Sequence, residues 1–216
     1  MMKYDPNVHH RRSIRLQGYD YSQAGAYFVT ICTRNRKCIF GEILGGEMRL
    51  NEVGRIVSRE WIRTAEIRTE IELDAWVVMP NHFHAILVIA DRRGTARRAP
   101  TVEQFGRPVS GSVPTIVRSF KSAVTKRVNE LCHTPGTPLW QRNYWERIIR
   151  NEREWNRIRE YIQNNPIQWE LDKLHPSQPG FGVDCGRGSR TAPKIREPSE
   201  IYGHHTPCPE DVGWMV

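Results

Sequence analysis

The stretch Val77-Val78-Met79-Pro80-Asn81-His82-Phe83-His84-Ala85-Ile86-Leu87-Val88-Ile89 constrains this chain more than any other. An apolar run of this length, rich in Val and Ile, reads as a buried strand. Side chains alternate along a strand, so His82, His84, Ile86 and Val88 share one face, and Phe83, Leu87 and Ile89 share the other. Both faces carry apolar residues, which predicts a central strand covered on both sides. Two imidazoles on one face, two residues apart, can share one metal ion. The same pair is also what two core histidines hydrogen-bonded within the protein would look like.

The rest of the chain supplies the neighbours of that strand. Ala26 to Cys32 is β-branched and aromatic, hence a strand. Gly41, Gly45 and Gly46 punctuate a short hairpin. Asn51 is placed to cap a helix in which Val53, Ile56, Val57 and Trp61 recur at helical spacing. Ile71 to Met79 reads as a strand, and Pro80-Asn81 as the break before the histidines. Val113, Ile116, Val117, Phe120, Val124, Val128 and Leu131 mark an amphipathic helix. Tyr144 to Ile149 reads as a strand, and Asn151 with Glu154 as a capping pair for a final helix that Pro166 must stop. Apart from the hairpin, the order is β-α-β-β-α-β plus one helix. The predicted fold class is therefore α+β: a ferredoxin-like antiparallel sheet with an additional C-terminal helix.

Three segments are predicted: a basic arm over 1–24, a domain over 25–170, and a Pro/Gly-rich tail over 171–216, expected to be disordered. The chain has 216 residues and a formal net charge of +8. Between 91 and 127 stand nine basic residues and two acidic ones. Charge gathered in one segment favours a polyanionic partner over bulk solubility, although a solvated loop has the same composition. The five cysteines form no C-x-x-C pair and are odd in number, which points to a reducing compartment. No apolar run has membrane-spanning length, and the first residues lack a secretory apolar core.

In the last helix Trp155, Ile158 and Ile162 lie on one stripe and face inward. Tyr161 and Asn165, four apart, share a helical face at the edge of that stripe. Tyr161 can therefore reach a site between helix and sheet, or simply pack its ring and wet its hydroxyl. Tyr144, on the preceding strand, is the competing tyrosine.

Met79-Pro80-Asn81-His82-Phe83-His84, followed by Tyr161-Ile162-Gln163-Asn164-Asn165-Pro166, resembles the single-tyrosine HUH transposases, and within them the REP-associated tyrosine transposases. The likeness spans residues 9–170 and takes in Arg11-Arg12-Ser13-Ile14-Arg15-Leu16, Gly25-Ala26-Tyr27-Phe28-Val29-Thr30, Ser119-Phe120-Lys121 and Trp140-Gln141-Arg142-Asn143-Tyr144. It implies that Tyr161 is the nucleophile and that His82, His84 and Asn165 hold a divalent ion, Mg²⁺ or Mn²⁺. Asn165 stands where the insertion-sequence enzymes often carry Gln, so its shorter side chain makes it the least secure ligand. The implied chemistry is cleavage of single-stranded or hairpin DNA through a 5′-phosphotyrosine, with strand transfer.

The partner is then a repeat hairpin with an unpaired flank. Arg11, Arg12 and Arg15 would read the flank, Arg118 and Lys121 would hold the backbone, and Arg142 would also bind the DNA. The implied setting is the bacterial cytoplasm, in association with the nucleoid and without membrane contact, as monomer or homodimer. Two other readings stay open. One is a hairpin-binding protein on the same fold without catalysis. The other is a structural zinc protein, which fits poorly because no cysteine neighbours His82 and His84 in sequence.

Overall fold

The computed structural model describes Leu16 and residues 19–90 and 109–177. Arg11, Arg12, Arg15, most of the basic loop and nearly all of the expected tail lie outside the described residues.

Among the described residues six strands and three α-helices follow one another as β1 (Gly25–Cys32), β2 (Gly41–Leu44), β3 (Glu47–Leu50), α1 (Glu52–Ile67), β4 (Ile71–Val78), β5 (His82–Ile89), α2 (Val113–Leu131), β6 (Trp145–Ile149) and α3 (Glu152–Asn164). The main sheet has the order β4-β5-β1-β6 with every pair antiparallel, and β2 and β3 form a separate hairpin. With the hairpin set aside, this is the ferredoxin-like β-α-β-β-α-β sheet with one helix added.

The alternation along β5 is realised as its sequence implies. Phe83, Ala85, Leu87 and Ile89 enter a large core with α1 and α2, centred on Trp61, Phe83 and Phe120. Those three rings meet at centroid distances of 5.1, 5.1 and 5.4 Å. Ile86 and Val88 enter a smaller core on the other face with Phe28, Ile149, Ile158 and Ile162. Each fully buried Phe, Ile, Leu or Val contributes about 2 kcal/mol, so both faces hold the sheet.

Caps and clamps fix the helices on these faces. Asn51 Oδ1 accepts the Gly54 N–H at 3.0 Å, as the N-terminus of α1 requires. Gly54 is needed there, because a Cβ would lie 2.1 Å from the Phe40 carbonyl oxygen. Glu60 on α1 pairs with Arg127 on α2. On α3, Asn151 Oδ1 accepts the Glu154 N–H at 2.8 Å, while the Glu154 carboxylate accepts from the Arg150 N–H at 3.1 Å. The back-bond of the capping pair thus falls one residue earlier than a capping box places it.

A register shift in β4 between Leu73 and Trp76 marks a bulge at Asp74. Asp74 accepts hydrogen bonds from the Trp155 indole N–H and the Arg159 guanidinium of α3. The helix ends at Asn164, just before Pro166, and a single 3₁₀ turn follows at Trp169–Leu171. Residues 171–177, which the sequence assigns to the head of the tail, are described, and Trp169 and Leu174 are buried.

Candidate active site

Four segments converge at one end of the α3 face of the sheet. β1 brings Thr30, β5 brings His82 and His84, α3 brings Tyr161 and Asn165, and the segment beyond the 3₁₀ turn brings Asp172. Sheet register does the first part of the work, since Thr30 pairs directly with His84 across β1 and β5. Helix spacing does the second, placing Tyr161 and Asn165 one turn apart.

Both histidines are fully buried, and each has one ring nitrogen committed to the protein. His84 Nδ1 lies 2.8 Å from Thr30 Oγ1. His82 Nδ1 lies 2.8 Å from Asn81 Oδ1. The orientation of the Asn81 amide is fixed, because Nδ2 donates to the Arg36 and Leu174 carbonyls at 3.1 and 2.7 Å. Oδ1 therefore faces His82, which must donate from Nδ1 and leaves Nε2 as a bare lone pair. Burial holds His82 down at about 4, against the pull of the Asp172 carboxylate, and holds His84 well below its ordinary value. Both imidazoles are neutral at pH 7, the form that ligates metals.

His82 Nε2 is buried without a hydrogen-bond partner, and the Asp172 Oδ2 atom lies 3.8 Å from it. Asn165 donates its amide nitrogen to Asp172 Oδ2 at 3.3 Å, while its own Oδ1 is buried and unpartnered. Two acceptors, the His82 nitrogen and the Asn165 oxygen, are thus buried here without a donor, beside the Asp172 carboxylate. Buried acceptors without donors need an explanation, and a cation supplies one. A nitrogen of each histidine and a carboxylate oxygen of Asp172 all lie within 4.8 Å of one another. Two imidazole nitrogens with amide and carboxylate oxygens make a mixed nitrogen and oxygen donor set, which fits a divalent ion. Asp172 adds a negative charge to a set that His82, His84 and Asn165 alone would leave neutral.

The Tyr161 hydroxyl lies 3.3 Å from His84 Nε2. The rings of His84, Tyr161 and Phe28 pack together, with Phe28 stacked on His84 at 5.3 Å and edge-on to Tyr161 at 6.0 Å. Burial, with the Asp172 carboxylate nearby, pushes the Tyr161 phenol above its ordinary value. Tyr144 packs on the opposite face, against the α1–α2 core, away from the histidines.

Arg118 and Arg142 are exposed. Lys121 instead turns inward: its ammonium donates to the Gln141 and Arg142 carbonyls at 2.7 and 3.2 Å, and burial lowers it to about 8. It ties α2 to the approach of β6 and leaves Arg142 to face solvent. Sequence reasoning missed Asp172, Thr30 and the role of Asn81. Asp172 follows Pro166 in a segment without apolar periodicity, where no pattern marks a ligand. Thr30 was detectable in principle, since any strand antiparallel to His84 must place a residue beside it.

Among the described residues Cys32, Cys38 and Cys132 are free thiols, and no helix is long and apolar enough to cross a membrane. No protein-family model matches the chain. A structure of a REP-associated tyrosine transposase bound to a REP hairpin is 19% identical, with a TM-score of 0.45, over 91% of this chain and 98% of that one. The REP-associated tyrosine transposase of Escherichia coli is 24% identical over 175 residues, 78% of this chain and 83% of its own length. An uncharacterized protein of Haemophilus influenzae is 41% identical over 179 residues, 80% of this chain and 97% of its own length. By that likeness the chain belongs to one protein family with the Haemophilus influenzae protein, and the E. coli transposase is its more distant relative.

Proposed function

We propose that this protein is a metal-dependent endonuclease and strand transferase for single-stranded, hairpin-forming repeat DNA, with Tyr161 as its nucleophile. One observation carries the reading: the Tyr161 hydroxyl sits 3.3 Å from His84 Nε2, beside buried acceptors that have no donor. His82, His84, Asp172 and Asn165 would hold the ion. When bound, Mg²⁺ or Mn²⁺ polarises a phosphate oxygen and favours the phenolate of a nearby tyrosine.

The residues of the chain do the rest. Thr30 and Asn81 hold the two imidazoles with Nε2 toward the site. Phe28 and Trp169 flank the histidine rings and limit water. Tyr161 attacks phosphorus, and its phenolic proton is released to solvent. A phosphorus–oxygen bond to tyrosine forms, the bond to the 3′ oxygen breaks, and that oxygen takes a proton from solvent and leaves as a free 3′-hydroxyl. The 5′-phosphotyrosine retains the diester energy, so a 3′-hydroxyl can reverse the step without ATP. Arg118 and Arg142, with Arg11, Arg12 and Arg15 of the arm, would supply the DNA contacts, while the inward-turned Lys121 would act by presenting Arg142.

Burial of the phenol favours a second reading, a hairpin-binding protein that does not cleave. One assay separates them. The protein is incubated with single-stranded hairpins from the flanks of its own gene and Mn²⁺, then run on a denaturing gel. A covalent adduct is expected; binding without an adduct at any metal concentration would establish the second reading.

A further inference from the structure

We propose that Asn81 is a positioning residue whose one amide assembles the metal site: its oxygen sets the His82 imidazole, and its nitrogen ties down the segment that brings Asp172 to it. The inference rests on reading His82 and Asp172 as ligands of one ion.

Asn81 is fully buried. Its backbone oxygen accepts from the Thr33 N–H and hydroxyl at 2.9 and 3.0 Å, which holds the residue against the loop after β1. Its side chain then makes three hydrogen bonds: from His82 Nδ1, and to the carbonyls of Arg36 and Leu174. Leu174 lies two residues beyond Asp172, and its own N–H donates to Asp172 Oδ1 at 2.7 Å. The other carboxylate oxygen is thereby turned toward His82 Nε2 and the Asn165 amide. One side chain thus connects His82 on β5 to Leu174, ninety-three positions beyond Asn81, and each end of its amide governs one prospective ligand.

The chemistry at each end is specific. The Arg36 and Leu174 carbonyls require a donor, and the His82 N–H requires an acceptor. Among residues of this size only an amide offers both. With no solvent reaching the position, water has no room to replace either end unless the segment lifts. Partners that orient a metal's ligands are worth about 10–100-fold in metal affinity.

Two measurements on the full chain test this. Hydrogen exchange of residues 172–177 is followed without metal in wild type and in Asn81→Ala and Asn81→Asp. Both variants should speed exchange there several-fold while the β1 and β5 amides keep their protection, because neither can donate to the Leu174 carbonyl. Mn²⁺ affinity is then measured by calorimetry in wild type, Asn81→Ala, Asp172→Ala and the double variant. Asn81→Ala should lose about 10–100-fold, and adding Asp172→Ala should cost less than it does alone, since the segment is already loose. Unchanged exchange at 172–177 in folded variants, or fully additive losses, would overturn the proposal. Should wild type bind no Mn²⁺, the metal reading fails, and the exchange experiment still decides the tether by itself.

Discussion

The Tyr161 hydroxyl and His84 Nε2 are 3.3 Å apart, and that nitrogen is the only one His84 has left after Thr30 takes Nδ1. The atom that would ligate a cation is thus the atom that meets the phenol. Ligation through this nitrogen and its hydrogen bond with Tyr161 exclude each other. Loading the site should therefore release the phenol toward substrate.

Tyr161→Phe removes one oxygen and leaves the ring between Phe28 and His84. Loss of a single hydrogen bond costs stability by about 1 kcal/mol. Hairpin affinity should stay within about twofold, while adduct formation drops below detection. A gel showing normal adduct from this variant would assign the nucleophile elsewhere.

His82→Ala and His84→Ala should each abolish metal-dependent cleavage, as should EDTA on wild type. Asp172→Asn should weaken Mn²⁺ binding by about tenfold or more, because it removes the only negative charge among the proposed ligands. Asn165→Ala should be milder, since water can fill its position. Cleavage rates across a Mn²⁺ titration give the order, and undiminished cleavage in EDTA would refute the metal.

Asp74→Ala should loosen α3 without touching the site. The Trp155 indole and the Arg159 guanidinium both donate to this carboxylate at the β4 bulge. A charge-assisted bond to a half-buried indole is worth about 2 kcal/mol, and the partly exposed Arg159 adds little. The thermal midpoint should fall by several degrees, and adduct formation should fall more than hairpin binding. Equal losses in both would mean that the clamp serves the fold alone.

Acid should destabilise the metal-free protein over a defined window. His82 is lowered to about 4 in the fold, and His84 lies well below its ordinary value. The unfolded chain binds these protons from about pH 6.5 downward, the folded chain only near the lowered values. Stability is therefore full above about pH 6.5 and declines as pH falls toward 4, with His82 alone worth roughly 3 kcal/mol. Urea midpoints between pH 7 and pH 4 measure this. His82→Gln and His84→Gln should each flatten the curve, and a wild-type midpoint constant across that range would contradict it.

Local pattern made much of this protein legible. The two-residue period of β5 placed the histidines on one face and Phe83 on the other, because strand geometry allows nothing else. Helical spacing put Ile158 and Ile162 inward and kept Tyr161 with Asn165, and Asn51 and Asn151 announced their caps. Strand and helix order was enough for the ferredoxin-like sheet. None of these local rules could choose between Tyr144 and Tyr161, which depends on the face each element presents once β6 pairs with β1 and α3 docks on β4. None could turn Lys121 inward or bring Asp172 beside His82, since Asp172 sits in a segment without periodicity, held by a hydrogen bond from Asn81 ninety-three residues before Leu174. Periodicity reports which side of an element faces the core. Which distant side chains meet there is decided only by register, by the β4 bulge and by buried polar bonds that close across the whole chain.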